Sequence, residues 1–173
     1  MDKIIPYIVV DGIPTMPDSF LAGLYNNLVG DGIEKLAFSD GSVRCADDFV
    51  RLFKSGSQLL FVLTRDESPL VVGWINTFEG KRAQIHFSVF KRGIGRDHIA
   101  LGKKMIGHCF SLQINGEFLF DVFYGITPTS NKLACRYAKK IMTVAATIPN
   151  FCYNFWDKTS SDGLVTYISR VQE

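Results

Sequence analysis

The chain has 173 residues, 47% of them hydrophobic and 13% aromatic, with a formal net charge of only +2. That length and apolar content suit a single domain spanning residues 1–173 with a sizeable core. The near-neutral balance excludes the concentrated basic face of a dedicated nucleic-acid binder.

Cys45, Cys109, Cys135 and Cys152 form no CxxC pair, and no histidine cluster has metal-ligand spacing. They read as buried thiols in a reducing compartment, and no metal site is expected. The N-terminal apolar run is short and broken by Pro6, and no stretch could cross a bilayer. The expectation is a soluble, cytoplasmic protein with neither a membrane nor a nucleic-acid partner. The pairs Lys103-Lys104 and Lys139-Lys140 read as solvated helix faces.

In chain order, residues 4–10 suit a short strand. Pro17-Asp18-Ser19 is helix-start chemistry with Asp18 as the N-cap, and Phe20, Leu21, Leu24 and Leu28 follow at helical spacing to a stop at Gly30. A second helix runs over 46–54, with Phe49, Leu52 and Phe53 on one face. The period then changes. "LLFVLT", "LVVGWINTF" and "RAQIHFSVF" read as strands joined by the short turns "RDESP" and "EGK", hence antiparallel hairpins. In the third, Ala83, Ile85, Phe87 and Val89 face one way; Gln84, His86, Ser88 and Phe90 face the other.

"KRGIGRDHIALGKKMIGHCFSL" begins glycine-rich and basic. It continues as a helix with a wide apolar stripe through Leu101, Met105, Ile106, Cys109, Phe110 and Leu112. "EFLFDVFYGIT" is the next strand. A strand, a helix and a strand in that order make a crossover, so these two strands are expected to run parallel. A helix over 131–141 and a closing hairpin of "FCYNFW" and "LVTYISRV" complete the chain. The fold class is α+β: a mixed, mostly antiparallel sheet with one parallel crossover, flanked by helices. A parallel pair carries its ligand at the carboxyl ends of its strands, where residues 91–102 and 125–131 lie. Gly93, Gly95 and Gly102, with Lys91, Arg92 and Arg96, suit a pyrophosphate at a helix start, where N–H groups are free.

The arrangement resembles the GNAT superfamily, whose members transfer acetyl groups from acetyl-CoA to amines. It is most similar to small bacterial and phage-borne members related to those that modify protein N-termini. The resemblance covers nearly the whole chain and is strongest through "VVGWI", "AQIHFSVF", "GITPTSN", "NKLACRYAKK" and "TIPNF"; Pro128, Asn131, Ala134 and Arg136 match the family's turn and following helix. Two departures stand out. The family's phosphate loop reads Arg/Gln-x-x-Gly-x-Gly/Ala. Here Arg92-Gly93-Ile94-Gly95 is the closest text, while spacing from Asn131 favours the glycine-poor stretch from Arg96 to Gly102. Met142-Thr143 stands where the family has Gly-Phe.

The resemblance implies acetyl-CoA as cosubstrate. It places the pantetheine arm along the backbone of Ser88 and Val89, and an oxyanion-donating N–H within Phe87–Val89. Gly95, Arg96 and Gly102 would face the phosphates, and Asn131 the open side of the cofactor. The alternative for Asn131 is a plain N-cap. His86 is the candidate base, since an unperturbed imidazole titrates near neutrality. Tyr137 is the candidate acid, with core packing as its alternative because relatives carry a tyrosine one residue later. Trp74 and Trp156 would pack in the core or line the acceptor groove. Asp31, Glu34 and Asp40 could attract a cationic amine or simply be solvated. The expected partners are acetyl-CoA and a primary amine of a small molecule, protein or peptide, with a homodimer possible. The competing expectation is a non-catalytic GNAT-fold module serving a protein partner.

Overall fold

The computed structural model describes residues 1–95 and 97–171. The strand expected over 4–10 is divided. β1 (Asp2–Pro6) joins the main sheet, while β2 (Val9–Val10) turns back on β3 (Ile13–Pro14) as a small ribbon. α1 (Asp18–Asp31) has Pro17, not Asp18, as its N-cap. The Asp18 carboxylate instead pairs with Lys54 Nζ at 2.8 Å. α1 ends at Gly32, two residues beyond Gly30, because Gly32 adopts φ 70° and returns its N–H to the last carbonyls. A short α2 (Glu34–Ala37) follows, then α3 (Ala46–Lys54).

β4 (Leu59–Arg65), β5 (Ser68–Glu79) and β6 (Arg82–Val89) form the expected meander. Asp66 and Glu67 both have positive φ, as a two-residue hairpin turn requires. After a single turn at Lys91–Gly93 comes α4 (His98–Phe110). The stretch expected as one strand over 117–127 is interrupted. β7 (Gln113–Ile114) and β8 (Glu117–Phe118) make a ribbon of their own, and only β9 (Val122–Pro128) enters the sheet. Then come α5 (Lys132–Ile141), β10 (Thr143–Asn154) and β11 (Thr159–Ser169). β10 starts eight residues earlier than the expected "FCYNFW".

The seven strands lie in the order β1-β4-β5-β6-β9-β11-β10. Only β6 and β9 run parallel, with α4 as their crossover. The alternation read along β6 holds. Ala83 and Ile85 join one core, with Phe87 and Val89 packed against it, under α4 and α5. Phe90 joins the other, with Leu60, Val62, Val72 and Trp74, under α1 and α3. Phe49, Phe53, Phe90 and Phe123 are essentially inaccessible to solvent, and burial of such a ring contributes about 1.5–3 kcal/mol. The α1/α3 layer takes its strand residues from β4 and β5 and none from β9, β10 or β11. Beyond β6, therefore, that face of the sheet is open, and Ile148 and Tyr167 are exposed there. No helix among the described residues is long and apolar enough to cross a membrane.

The thiols divide by environment. Cys109 and Cys135 are buried as expected, but Cys152 is half-buried and Cys45 exposed; all four are free.

Candidate active site

The parallel pair is joined over a short length only. β6 meets β9 at Arg82↔Val122, Ala83↔Phe123 and Gln84↔Tyr124, and no further. β9 continues to Pro128 with its other edge fully engaged by β11. β6 continues to Val89, engaged by β5 throughout. From Ile85 onward the two strands therefore part.

Phe90 N donates to Leu70 O at 3.0 Å. In an antiparallel ladder successive residues direct their N–H and C=O to opposite edges. Ser88 and His86 thus turn theirs to β5, while Phe87 and Val89 turn theirs into the gap. Two N–H donors and two carbonyl acceptors line one wall of a V, in a region where buried backbone groups demand partners.

The helix after β6 starts differently from expectation. α4 begins at His98 with Asp97 as N-cap, and Leu101 N already bonds to Asp97 O at 2.9 Å. The free donors of its first turn are those of Ile99 and Ala100. Gly95 lies in the exposed turn before it, where its carbonyl accepts from His98 N and from the His98 ring. Arg96 lies outside the described residues. Gly102 sits in the second turn of α4, past the free N–H groups. A Cβ on it would fall 2.2 Å from Tyr137 Oη. Its lack of a side chain admits the Tyr137 hydroxyl. Gly93 likewise serves packing, since a Cβ there would meet Leu70 O at 2.7 Å. Of the basic residues, Arg92 bonds Asn27 Oδ1 on α1 at 3.1 Å, and Lys91 N bonds Asp31 Oδ2 at 2.7 Å. Asp31 is thereby spent on holding this loop.

Tyr137 donates its hydroxyl to His98 O at 2.8 Å, and its ring meets Phe87 edge-on at 5.3 Å. Burial pushes the phenol up to about 12, against a lowering hydrogen bond from the Gly102 N–H. These contacts fasten α5 to the start of α4, which is the packing alternative for Tyr137. Asn131 is the N-cap of α5: its Oδ1 accepts from Ala134 N at 3.1 Å. That cap fixes the direction in which α5 leaves the end of β9.

His86 stands on the opposite face of β6, half-buried. Its ring lies flat on Trp74, with centroids 5.1 Å apart and planes 5° apart. Trp74 in turn stacks on Phe38 at 5.2 Å and 12°. Nε2 of His86 is 3.1 Å from Asn76 Oδ1. Burial pulls the imidazole down to about 4, opposed by the Asp40 carboxylate, so the ring is neutral at pH 7. Sequence reasoning identified His86 but missed Phe38 and Asn76. Asn76 comes from the neighbouring strand of the same hairpin, and Phe38 joins only by stacking on Trp74.

The β10–β11 turn is fastened to the segment after α2. Phe155 N donates to Ser39 O at 2.7 Å, and Trp156 Nε1 donates to Phe38 O at 3.0 Å. Lys35 Nζ lies 5.4 Å above the Trp156 ring. Trp156 thus packs on the segment around α2, while Trp74 is core. Asp40 accepts from Ser42 N and Oγ within its own loop. A wide depression of ≈ 470 Å³ between α1 and α3 is lined by Asp18, Asp47, Arg51 and Lys54. Its Asp18–Lys54 pair is mutually satisfied, and it lies on the outer face of the helices, away from the V.

A mixed seven-stranded sheet that splays at its single parallel pair is the GNAT acetyltransferase fold, and solved structures similar to this chain carry that fold. No protein-family model and no curated protein sequence matches the chain. RimL, a ribosomal alpha-N-protein acetyltransferase solved with coenzyme A, superposes with a TM-score of 0.68 at 12% identity over 89% of this chain and 90% of its own. The spermidine N-acetyltransferase SpeG of Vibrio cholerae gives 0.70 at 10% identity over 96% and 94%. YncA, a putative acetyltransferase of Salmonella typhimurium solved with acetyl-CoA, gives 0.65 at 11% identity over 99% and 95%.

Proposed function

We propose that this protein is an N-acetyltransferase that uses acetyl-CoA to acetylate a primary amine of a small molecule, protein or peptide. The observation that carries the reading is the early parting of β6 and β9. It leaves Phe87 and Val89 with backbone donors and acceptors aimed into a gap that a pantetheine arm can occupy as an added strand. That similar folds have been solved with coenzyme A or acetyl-CoA supports the same donor.

The reaction needs a neutral amine, a stabilised oxyanion and a proton acceptor. The amine nitrogen attacks the thioester carbonyl carbon, the C–N bond forms, the C–S bond breaks, and the thiolate leaves. The N–H of Phe87 or Val89 stabilises the charge developing on the carbonyl oxygen. His86, uncharged at pH 7, is the group assigned to accept the proton lost by the amine. Asn131 contributes by anchoring α5 beside the gap, and Gly95 and Arg96 are assigned to the phosphate end. Tyr137 braces α4, and the thiolate takes its proton from solvent.

Titration calorimetry with acetyl-CoA tests the donor, and thiol release over a panel of amines and peptides tests transfer. Binding accompanied by release is the expected result; no binding at millimolar acetyl-CoA overturns the reading. His86→Ala is expected to lower kcat by about 10²-fold or more with acetyl-CoA affinity kept.

Two observations favour the second reading, a non-catalytic module serving a protein partner. The only tyrosine on α5 has its hydroxyl engaged, and α4 opens on Asp97 without a run of glycines. Acetyl-CoA binding without thiol release, together with an unaltered His86→Ala protein, is the outcome that reading predicts.

A further inference from the structure

We propose that Asn76 is a positioning residue that holds His86 as the Nε2–H tautomer and so leaves the Nδ1 lone pair free on the edge of the ring turned away from Asn76. The inference rests on the reading of His86 as the base and names what makes it one.

The ring is constrained from two directions. Its face lies on the Trp74 indole, with planes 5° apart, so it cannot tilt. Its edge is held by the Asn76 amide at 3.1 Å from Nε2. Asn76 and His86 are diagonal neighbours on one face of the β5–β6 ladder, since Asn76 pairs with Gln84 and Trp74 with His86. Neutral imidazole has one donor and one acceptor nitrogen, and the partner's chemistry decides which is which. An amide oxygen accepts, so Nε2 carries the proton. The Thr77 hydroxyl donates to the same Oδ1 at 3.3 Å.

The backbone beside Asn76 is irregular. Thr77 is β-branched yet has φ 51°, a region such residues avoid at a cost of about 1–3 kcal/mol. It stands where the β5–β6 register shifts, between Asn76 and Glu79. Bulges of this kind re-aim side chains beside active sites. Here the irregularity turns Thr77 so that its hydroxyl reaches the amide of the preceding residue. On the ladder, Trp74, Asn76 and Gln84 bring no charge to the ring. From the loop between α2 and α3, the Asp40 carboxylate acts on it through space, favouring the charged ring. A second carboxylate placed on Nε2–H would act in the same direction and at closer range.

The test reads the imidazole directly. Long-range ¹H–¹⁵N correlation spectra of the full chain, with His86 assigned through His86→Gln, report the tautomer at pH 7. The expected pattern is protonated Nε2 and bare Nδ1, with no added ligand. In Asn76→Leu the two tautomers should mix. In Asn76→Asp the His86 titration midpoint should rise by about 1–3 units, and the acid limb of kcat/KM should move with it. A wild-type Nδ1–H tautomer overturns the proposal, as does a midpoint indifferent to Asn76→Asp. The wild-type spectrum needs no variant, so a variant that fails to fold leaves the test standing. If the midpoint moves while the acid limb does not, Asn76 still positions His86, and it is the assignment of His86 as base that falls.

Discussion

The carbonyl oxygen of His98 receives the Tyr137 hydroxyl at 2.8 Å, and this one bond ties the first turn of α4 to the middle of α5. It does so across Gly102, on which a Cβ would sit 2.2 Å from Tyr137 Oη and 3.1 Å from its ring carbon Cζ. Residues flanking the open end of the β6–β9 gap are thereby locked together by a contact made on neither strand.

Gly102→Ala should show this lock. In an ordinary helix interior the change stabilises by about 1 kcal/mol. Here overpacking should outweigh it, for a net loss of about 1–2 kcal/mol. Tyr137→Phe in the same chain should recover part of that loss, because Oη is the nearest clash. Urea unfolding of the two single variants and the double variant measures the coupling; strict additivity contradicts the contact.

His86 makes stability fall toward acid. Its imidazole is pulled from an ordinary 6.5 down to about 4, chiefly by burial. Because the folded value is the lower one, the contribution is whole above pH 6.5. It is lost as pH falls toward 4, where the unfolded chain binds a proton that the folded chain refuses. The total is at most about 3 kcal/mol. Unfolding curves between pH 7.5 and 4.5 should be flatter for His86→Gln; equal slopes count against the buried neutral ring.

The direction of the β6 backbone can be tested with proline. Proline lacks an N–H and normally forfeits a ladder bond inside a sheet. Ser88 directs its N–H to β5, so Ser88→Pro should destabilise strongly, by about 3 kcal/mol or more. Val89 directs its N–H into the gap, so Val89→Pro should cost distinctly less stability while weakening acetyl-CoA binding. A reversed order of stabilities means that the edges are assigned the wrong way round.

Asn131→Ala removes the cap from α5. The expected loss is about 1 kcal/mol, with Asn131→Asp retaining most of the stability. Chemical denaturation decides between this and a ligand-only role, which would leave the apo protein unchanged.

The parts of the fold written in local pattern were legible. The meander, the two-faced alternation of β6 and the parallel crossover follow from period and loop length. β10 was half missed because "TVAATIPN" lacks alternation and carries Pro149 and Asn150, which read as a loop. In the sheet these residues fall at register breaks that tolerate them. The packing of Gly102 was not legible, because the close approach of Tyr137 is a tertiary contact with no local signal. The His86 environment was legible as one residue and no more. Trp74 and Asn76 reach it through strand pairing, and Phe38 joins only by stacking on the Trp74 ring.

β10 is the outermost strand, and from Ile141 to Trp156 the chain holds no charged side chain. Most edge strands deter unwanted pairing with charges; this one relies on shape. Its pairing with β11 slips between Val144 and Ala146, and again between Ile148 and Cys152, around Pro149 and a left-handed Asn150. The kinked border gives a neighbouring molecule no long straight run to zip onto. A chain straightened there, by replacing Pro149 and Asn150 with β-formers, should therefore lose solubility long before it loses its fold.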